Sequence, residues 1–284
     1  MFWRSDSSDP IHVLELVTVT YGTASAPFLA TRTLEQLAID EGSNFPIAAE
    51  IIKNSFYVDN ALFGFNTLSQ AYEAQRQLIN LLAAGGFDLH KWSSNDPRLL
   101  EVIPDANREE LVSIGEHDTN DIVKTLGLLW KPNSDEIIFV SLPTSSTNNP
   151  TKREVLSLIA RMFDPLGLVS PIVLIGKLLM HEIWKENIKW DGTITDDLLK
   201  LWDHFLDAIN DVPKIRIPRQ VVVPNAIALE LHGFADASQS AYGACLYVRS
   251  IVSGHVAVAK LLTAKSKIVP KSALTIPRRT FTLG

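Results

Sequence analysis

Three apolar-periodic segments follow one another between residues 151 and 209, and any fold of this chain must bury all three stripes. Thr151 precedes REVLSLIARMF, Ser170 with Pro171 opens IVLIGKLLMHEIWKE, and Thr195 followed by Asp196 and Asp197 opens LLKLWDHFLDAI. A hydroxyl in these places can accept from the free amides of a first helical turn, and proline has a fixed φ suited to that turn. In the last segment Leu198, Leu199, Trp202, Phe205, Leu206 and Ile209 recur at helical spacing and form one stripe. Three such helices predict a small bundle.

The sequence around that bundle has a different period. Residues 13–21 alternate apolar and polar, after which Ser25 and Pro27 open a helical pattern through about Leu37. Residues 55–65 are aromatic and β-branched on both sides of Asp59-Asn60, which predicts a hairpin turning at that dipeptide. A helix is expected over 69–83, ending at Gly85-Gly86, then a short strand over 87–92. Residues 125–142 read as two strands around the turn at 132–135, and a polar linker follows at 145–150. Beyond the bundle, a segment punctuated by Pro213, Pro218 and Pro224 leads to a β-rich tail. Ile227, Leu229 and Leu231 alternate there, a second strand runs over 242–250, and a third over 255–263 follows a turn at Ser253-Gly254. The class is α+β.

A chain of 284 residues, 46% hydrophobic and 20% charged, has ordinary globular composition and length for more than one module. Its single cysteine, Cys245, excludes an internal disulfide framework and a cysteine-based zinc site, and it reads as a buried thiol. The first residues carry no apolar leader, and the uncharged stretch 165–176 is shorter than the ~20 residues that span a bilayer. A cytoplasmic or nuclear protein is expected, neither secreted nor held in a membrane. The seven histidines form no HExxH-like pair, and no P-loop or GxGxxG is present.

The net charge of −6 is unevenly spread. Eight acids against two arginines in residues 93–122 account for all of it, whereas residues 249–284 hold seven Lys or Arg and no acid. An acidic total therefore does not exclude a polyanionic partner, because one end of the chain is cationic.

Tyr57-Val58-Asp59-Asn60, between apolar strand residues, closely resembles the YxDD hairpin of reverse transcriptases, and the chain as a whole resembles the Pol polyproteins of Pao-type (BEL-like) long-terminal-repeat retrotransposons. VTVTYGTASAPFLATRTL (17–34) resembles the template-contacting segment, GGFDLHKWSSN (85–95) the following palm segment and KTLGLLWKP (124–132) the primer grip. Residues 151–186 resemble the helical thumb, and LHGFADASQSAYGACLY (231–247) the opening of the RNase H domain. The resemblance implies three parts: partial reverse-transcriptase fingers, palm and connection strands over 1–144, a helical thumb-like bundle over 151–212, and a truncated RNase H-like sheet over 226–284.

It also implies roles for particular residues. Asp59 and Asp236 would be metal ligands, for Mg²⁺ in the polymerase and RNase H halves respectively. Two divalent cations held by clustered carboxylates stabilise the attacking and leaving oxygens of phosphoryl transfer. Asn60 stands where the family has a second Asp, and removes a negative charge from an oxygen-rich site. The family's remaining polymerase Asp lies upstream of the part that matches, and Thr280 stands where the next RNase H acid is expected. Lys91 aligns with a lysine suited to protonate leaving pyrophosphate. Tyr57, Gly22, Pro27 and Trp130 fall at nucleic-acid contacts of the family.

The expectation is a Pol fragment of RNA-directed DNA polymerase and RNase H descent, catalytically defective as an isolated chain. Its partners would be an RNA template with a DNA primer, or an RNA–DNA hybrid, and the protease and integrase of the parental polyprotein. The alternative is a non-enzymatic module that grips an RNA–DNA hybrid by its backbone, since phosphate contacts need cations and not metal ligands.

Overall fold

The computed structural model describes residues 1–20, 22–112, 121–140, 149–254 and 257–269, in two units divided between Glu109 and Glu110. Parts of the acidic segment and polar linker, the start expected for the third tail strand, and Thr280 lie outside the described residues.

In the first unit β1 (Phe2–Trp3) pairs with β2 (His12–Val13), followed by α1 (Ala26–Asp40), α2 (Pro46–Ser55), the hairpin β3 (Phe56–Tyr57) and β4 (Asn60–Ala61), and α3 (Leu68–Ala84). The core lies between the helices, where Ala38, Ala48, Ile51, Ile52, Ala74, Leu78, Leu81 and Leu82 are buried together. α2 was not apparent from the sequence. One of its free N-terminal amides is served from another helix: the Gln77 side-chain oxygen of α3 accepts from Ile47 N at 2.9 Å. Gln75, also buried on α3, donates to Leu99 O at 2.9 Å and fixes the chain beyond the helix.

Several local expectations for this unit need correction. The alternation over 13–21 gives strand only at His12–Val13, because the residues after it have no partner strand among the described residues and Val17 stays exposed. Ser25 occupies the N-cap of α1 without a side-chain capping bond. Residues 87–92 form no strand beyond a single bridge from Trp92 to Arg108. The expected helix over 69–83 is present as α3, capped by the Thr67 hydroxyl, which accepts from Gln70 N, and ended where Gly86 takes φ +75°.

The second unit begins with β5 (Val123–Thr125), β6 (Leu128–Lys131) and β7 (Glu136–Ile138). The turn at 132–135 is where the sequence places it, and β5 adds a strand that was not anticipated. α4 (Lys152–Arg161), α5 (Ser170–Lys185) and α6 (Asp196–Asp211) follow, and β8 (Arg216–Pro218) returns to pair with β7. Val155, Leu158, Leu179, Ile183, Leu198, Trp202, Phe205 and Ile209 bury the three stripes against one another, as the helical pattern predicts. Thr151 caps α4 in a reciprocal box with Glu154.

The other two expected caps differ. Asp164, not Ser170, serves the start of α5, accepting from Leu168 N at 2.8 Å and Val169 N at 2.9 Å. The Thr195 hydroxyl donates instead to the Glu186 carboxylate at 3.0 Å, leaving Asp196 and Asp197 in the first turn of α6. The loop before α6 also folds back on α4. The buried Lys152 ammonium lies 3.5 Å from the centre of the Trp184 ring and donates to Ile188 O at 3.1 Å.

β9 (Ala228–Ala237), β10 (Ala241–Ile251) and β11 (Ala257–Ile268) form an antiparallel sheet in the order β11-β10-β9. The turn preceding β11 includes Gly254 at φ +83°, and Cys245 on β10 is only half-buried, not the core thiol expected. β11 is fastened to the bundle along its free edge: Ala264 N donates to Leu166 O at 2.9 Å, the Thr263 hydroxyl donates to the same oxygen at 2.8 Å, and Lys177 of α5 reaches Ser266 O at 3.4 Å. Gly167 makes this approach possible. Its φ is +73°, and a Cβ there would fall on the Ala264 carbonyl oxygen.

Candidate functional site

The Tyr57–Asn60 hairpin grows directly from the C-terminal end of α2, so the buried face of that helix sets its position. Tyr57 pairs with Asn60, which puts Val58 and Asp59 in the turn instead of Asp59 and Asn60. Val58 takes φ +58°, a left-handed conformation that costs an L-residue roughly 1–2 kcal/mol and is rare for a β-branched side chain. Tyr57 is 68% exposed, so its ring is free to meet a partner. The Asn60 amide donates to Asp59 Oδ1 at 2.9 Å. Where a second carboxylate would repel Asp59 and attract a cation, this side chain instead occupies one of the Asp59 oxygens.

Of the other residues singled out in this unit, Gly22 and Lys91 lie at left-handed turns, and Pro27 O accepts from the Thr31 hydroxyl at 3.1 Å. Gly22 has φ +79° with open space where a Cβ would lie, so the turn conformation alone accounts for glycine there. Pro27 is the second residue of α1. Lys91 is exposed and also left-handed, at φ +59°, in a segment that is not strand.

Trp130 on β6 is built into a polar cluster of the second unit. Its indole nitrogen donates to Asp135 Oδ1 at 2.9 Å, and Arg219 binds the same carboxylate through two contacts of 2.6 and 3.0 Å while its guanidinium lies 5.4 Å from the Trp130 ring. Arg219 N also donates to Asp135 O at 2.9 Å. This cluster ties the chain leaving the bundle to the 132–135 turn. Sequence reasoning missed it because its two ionic members are 84 residues apart and neither belongs to a motif.

Asp236 lies on β9 opposite Gly243, with Oδ1 accepting from Ala237 N at 2.8 Å. Side chains alternate along a strand, so it shares a face with Phe234, His232 and Glu230. Glu230 is held below the usual carboxylate range, first by its hydrogen bond with His232 and then by that from Arg249. Among the described residues, no group of three or more His, Cys, Asp or Glu side chains gathers as a metal site. The donor sets at Asp59 and Asp236 each offer one carboxylate with an oxygen already engaged, and this does not fit a pair of Mg²⁺ ions.

Helices joined to the edge of an antiparallel sheet whose first strand bears an aspartate are consistent with an RNase H-like domain. Residues 151–282 match the family model described as the Pao retrotransposon-like RNaseH-like domain, which supports a Pao retrotransposon RNase H region over that stretch. No curated protein matches the chain. The matched stretch takes in α4 to α6 as well as β9 to β11, and the bonds from the 164–170 loop and α5 to β11 hold these two parts together. No described helix is long and apolar enough to cross a membrane.

Proposed function

We propose that this chain is a piece of a retroelement Pol polyprotein in which a reverse-transcriptase-derived region precedes the RNase H-like region, and that neither region retains catalysis. Residues 1–144 derive on this reading from fingers, palm and connection strands, 151–212 from a thumb-like bundle, and 226–284 from the RNase H sheet. The observation that carries it is the pairing of each inherited aspartate with a neutral partner. Asp59 meets the Asn60 amide, and Asp236 meets the backbone amide of Ala237. Phosphoryl transfer depends mainly on positioning and electrostatics, so the loss of carboxylates lowers rates by orders of magnitude.

The test is primer extension on an RNA template with Mg²⁺ or Mn²⁺, together with cleavage of an RNA–DNA hybrid. Neither should exceed background. Asn60→Asp should bring little extension, because Asp59 belongs to no cluster of three or more metal-ligating side chains among the described residues, and one added carboxylate does not by itself build a two-metal site. Template copying or hybrid cleavage abolished by Asp59→Asn or Asp236→Asn would defeat this reading.

A second reading, a module that binds an RNA–DNA hybrid without catalysis, is favoured by the lysines of β11. They need no metal to meet phosphate.

A further inference from the structure

The β9–β11 sheet carries its acids and its lysines on opposite faces, and one extra residue is the cause. In the pairing of β10 with β11, Tyr247 stands opposite Leu261 and Leu246 opposite Thr263, so Leu262 is left over as a β-bulge. Alternation along a strand means that such an insertion reverses the facing of every residue after it. Lys260 opposite Val248, Lys265 opposite Ala244 and Lys267 opposite Tyr242 consequently share one face. Without the bulge, Lys265 and Lys267 would lie on the other side from Lys260. That other side holds both acids of the sheet, Glu230 and Asp236, opposite Arg249 and Gly243. The lysine face meets β9 at Leu229, Leu231, Gly233, Ala235 and Ala237, none of them charged.

Lys265 and Lys267 are exposed and make no ion pair among the described residues. Lys260 is half-buried and donates to Gln220 O at 2.8 Å, which holds its ammonium near the sheet. At about 3.3 Å per residue the three cations span roughly 20 Å along the strand. A nucleic-acid duplex presents one negative charge per about 3.4 Å of axis on each strand, so such a row faces several phosphates at once.

We propose that this lysine face binds the phosphodiester backbone of an RNA–DNA hybrid, on the side of the sheet away from Asp236. The inference deepens the nucleic-acid reading above and rests on it. Charge complementarity selects the partner: a surface with three lysines and no acid favours a polyanion. Ammonium groups that meet phosphates read no base edge, so the contact is independent of sequence.

The experiment measures binding of the full chain to a labelled hybrid by fluorescence anisotropy over a range of salt. Lys265→Gln with Lys267→Gln should weaken binding about tenfold or more at low salt and reduce the slope of log affinity against log salt by about 2, near 1 per lost phosphate contact. Lys200→Gln on α6 with Lys214→Gln in the turn just beyond it makes the same change in net charge away from the sheet, and Arg249→Gln removes a cation from the opposite face; both should leave the slope unchanged. An unchanged slope in the Lys265/Lys267 variant, an equal loss in the Lys200/Lys214 variant, absence of hybrid binding by the native chain, or binding to phosphatidylserine vesicles in preference to the hybrid would overturn the proposal. Catalysis by the native chain would instead defeat the inactive-fragment reading and leave the salt slopes untouched.

Discussion

The helical bundle and the β9–β11 sheet belong to the same unit, but they use their apolar residues in opposite ways. Phe205, Ile183 and Val155 are fully enclosed, whereas Leu229, Leu231 and Phe234 on β9 are each more than half exposed. The bundle is held by burial, which scales with the apolar area removed from water. The sheet is held by its backbone ladder and by one edge, where β11 meets the 164–170 loop and α5. On the far side β9 has no strand partner among the described residues, which leaves a line of backbone groups open to pairing. A part that keeps its own core can survive loss of its neighbour, and a part anchored at one edge cannot.

That contrast is most severely tested inside the bundle. Phe205→Ala should cost about 3–5 kcal/mol in chemical denaturation, because the ring is fully buried and the space it leaves cannot collapse without moving three helices. A loss near 1 kcal/mol would mean that the bundle is loosely packed. Gly167→Ala comes next. The left-handed backbone alone makes alanine unfavourable by roughly 1–2 kcal/mol, and the new methyl meets the Ala264 carbonyl oxygen. The damage should be confined to the seam: limited proteolysis should remove 226–269 faster while the 151–212 core persists. Equal protease resistance in the variant would show that the edge contact is not what retains the sheet.

The same contrast explains how much of this molecule could be read in advance. The bundle was legible because its signals are local: a stripe at helical spacing in 198–209, and Thr151 three residues before Glu154. The sheet strands were legible as strands, but their facing was not. Leu262 becomes a bulge only when paired with β10, so the separation of lysines from acids is a property of the register and not of the composition. α2 escaped notice because its apolar residues are largely alanine and isoleucine in a short run, with its N-terminal amide served by Gln77 thirty residues away. At the candidate site the Tyr57–Asn60 motif located the hairpin, yet the turn fell one residue earlier than expected, on Val58 and Asp59. Strand pairing between Tyr57 and Asn60 decided that position, overriding the turn preference of Asp and Asn.

Smaller effects sharpen the comparison at β9. Phe234→Ala should cost only about 0.5–1.5 kcal/mol, most of it from the edge-to-face contact with Tyr247 at a centroid separation of 6.0 Å. A penalty approaching that of Phe205→Ala would mean that something covers this face in solution, and would contradict the view of β9 as a partly dressed edge.

The smallest effect is electrostatic. Glu230 bonds to His232 at 3.0 Å and Arg249 at 2.7 Å, and these partners lower its pKa. A carboxylate with a depressed folded-state pKa stabilises the fold above its unfolded value and loses that contribution as pH falls through the folded value. The exposed setting keeps the effect small, and salt should weaken it further. Hydrogen-exchange protection of β9 amides, corrected for intrinsic rates, should decline as pH drops below the ordinary glutamate range. In Glu230→Gln it should be lower from the outset and nearly flat over the same interval. Bundle amides should respond alike in both proteins, because the partners of Glu230 among the described residues, His232 and Arg249, both lie in the sheet; a parallel decline in the bundle would instead make the two parts a single cooperative unit.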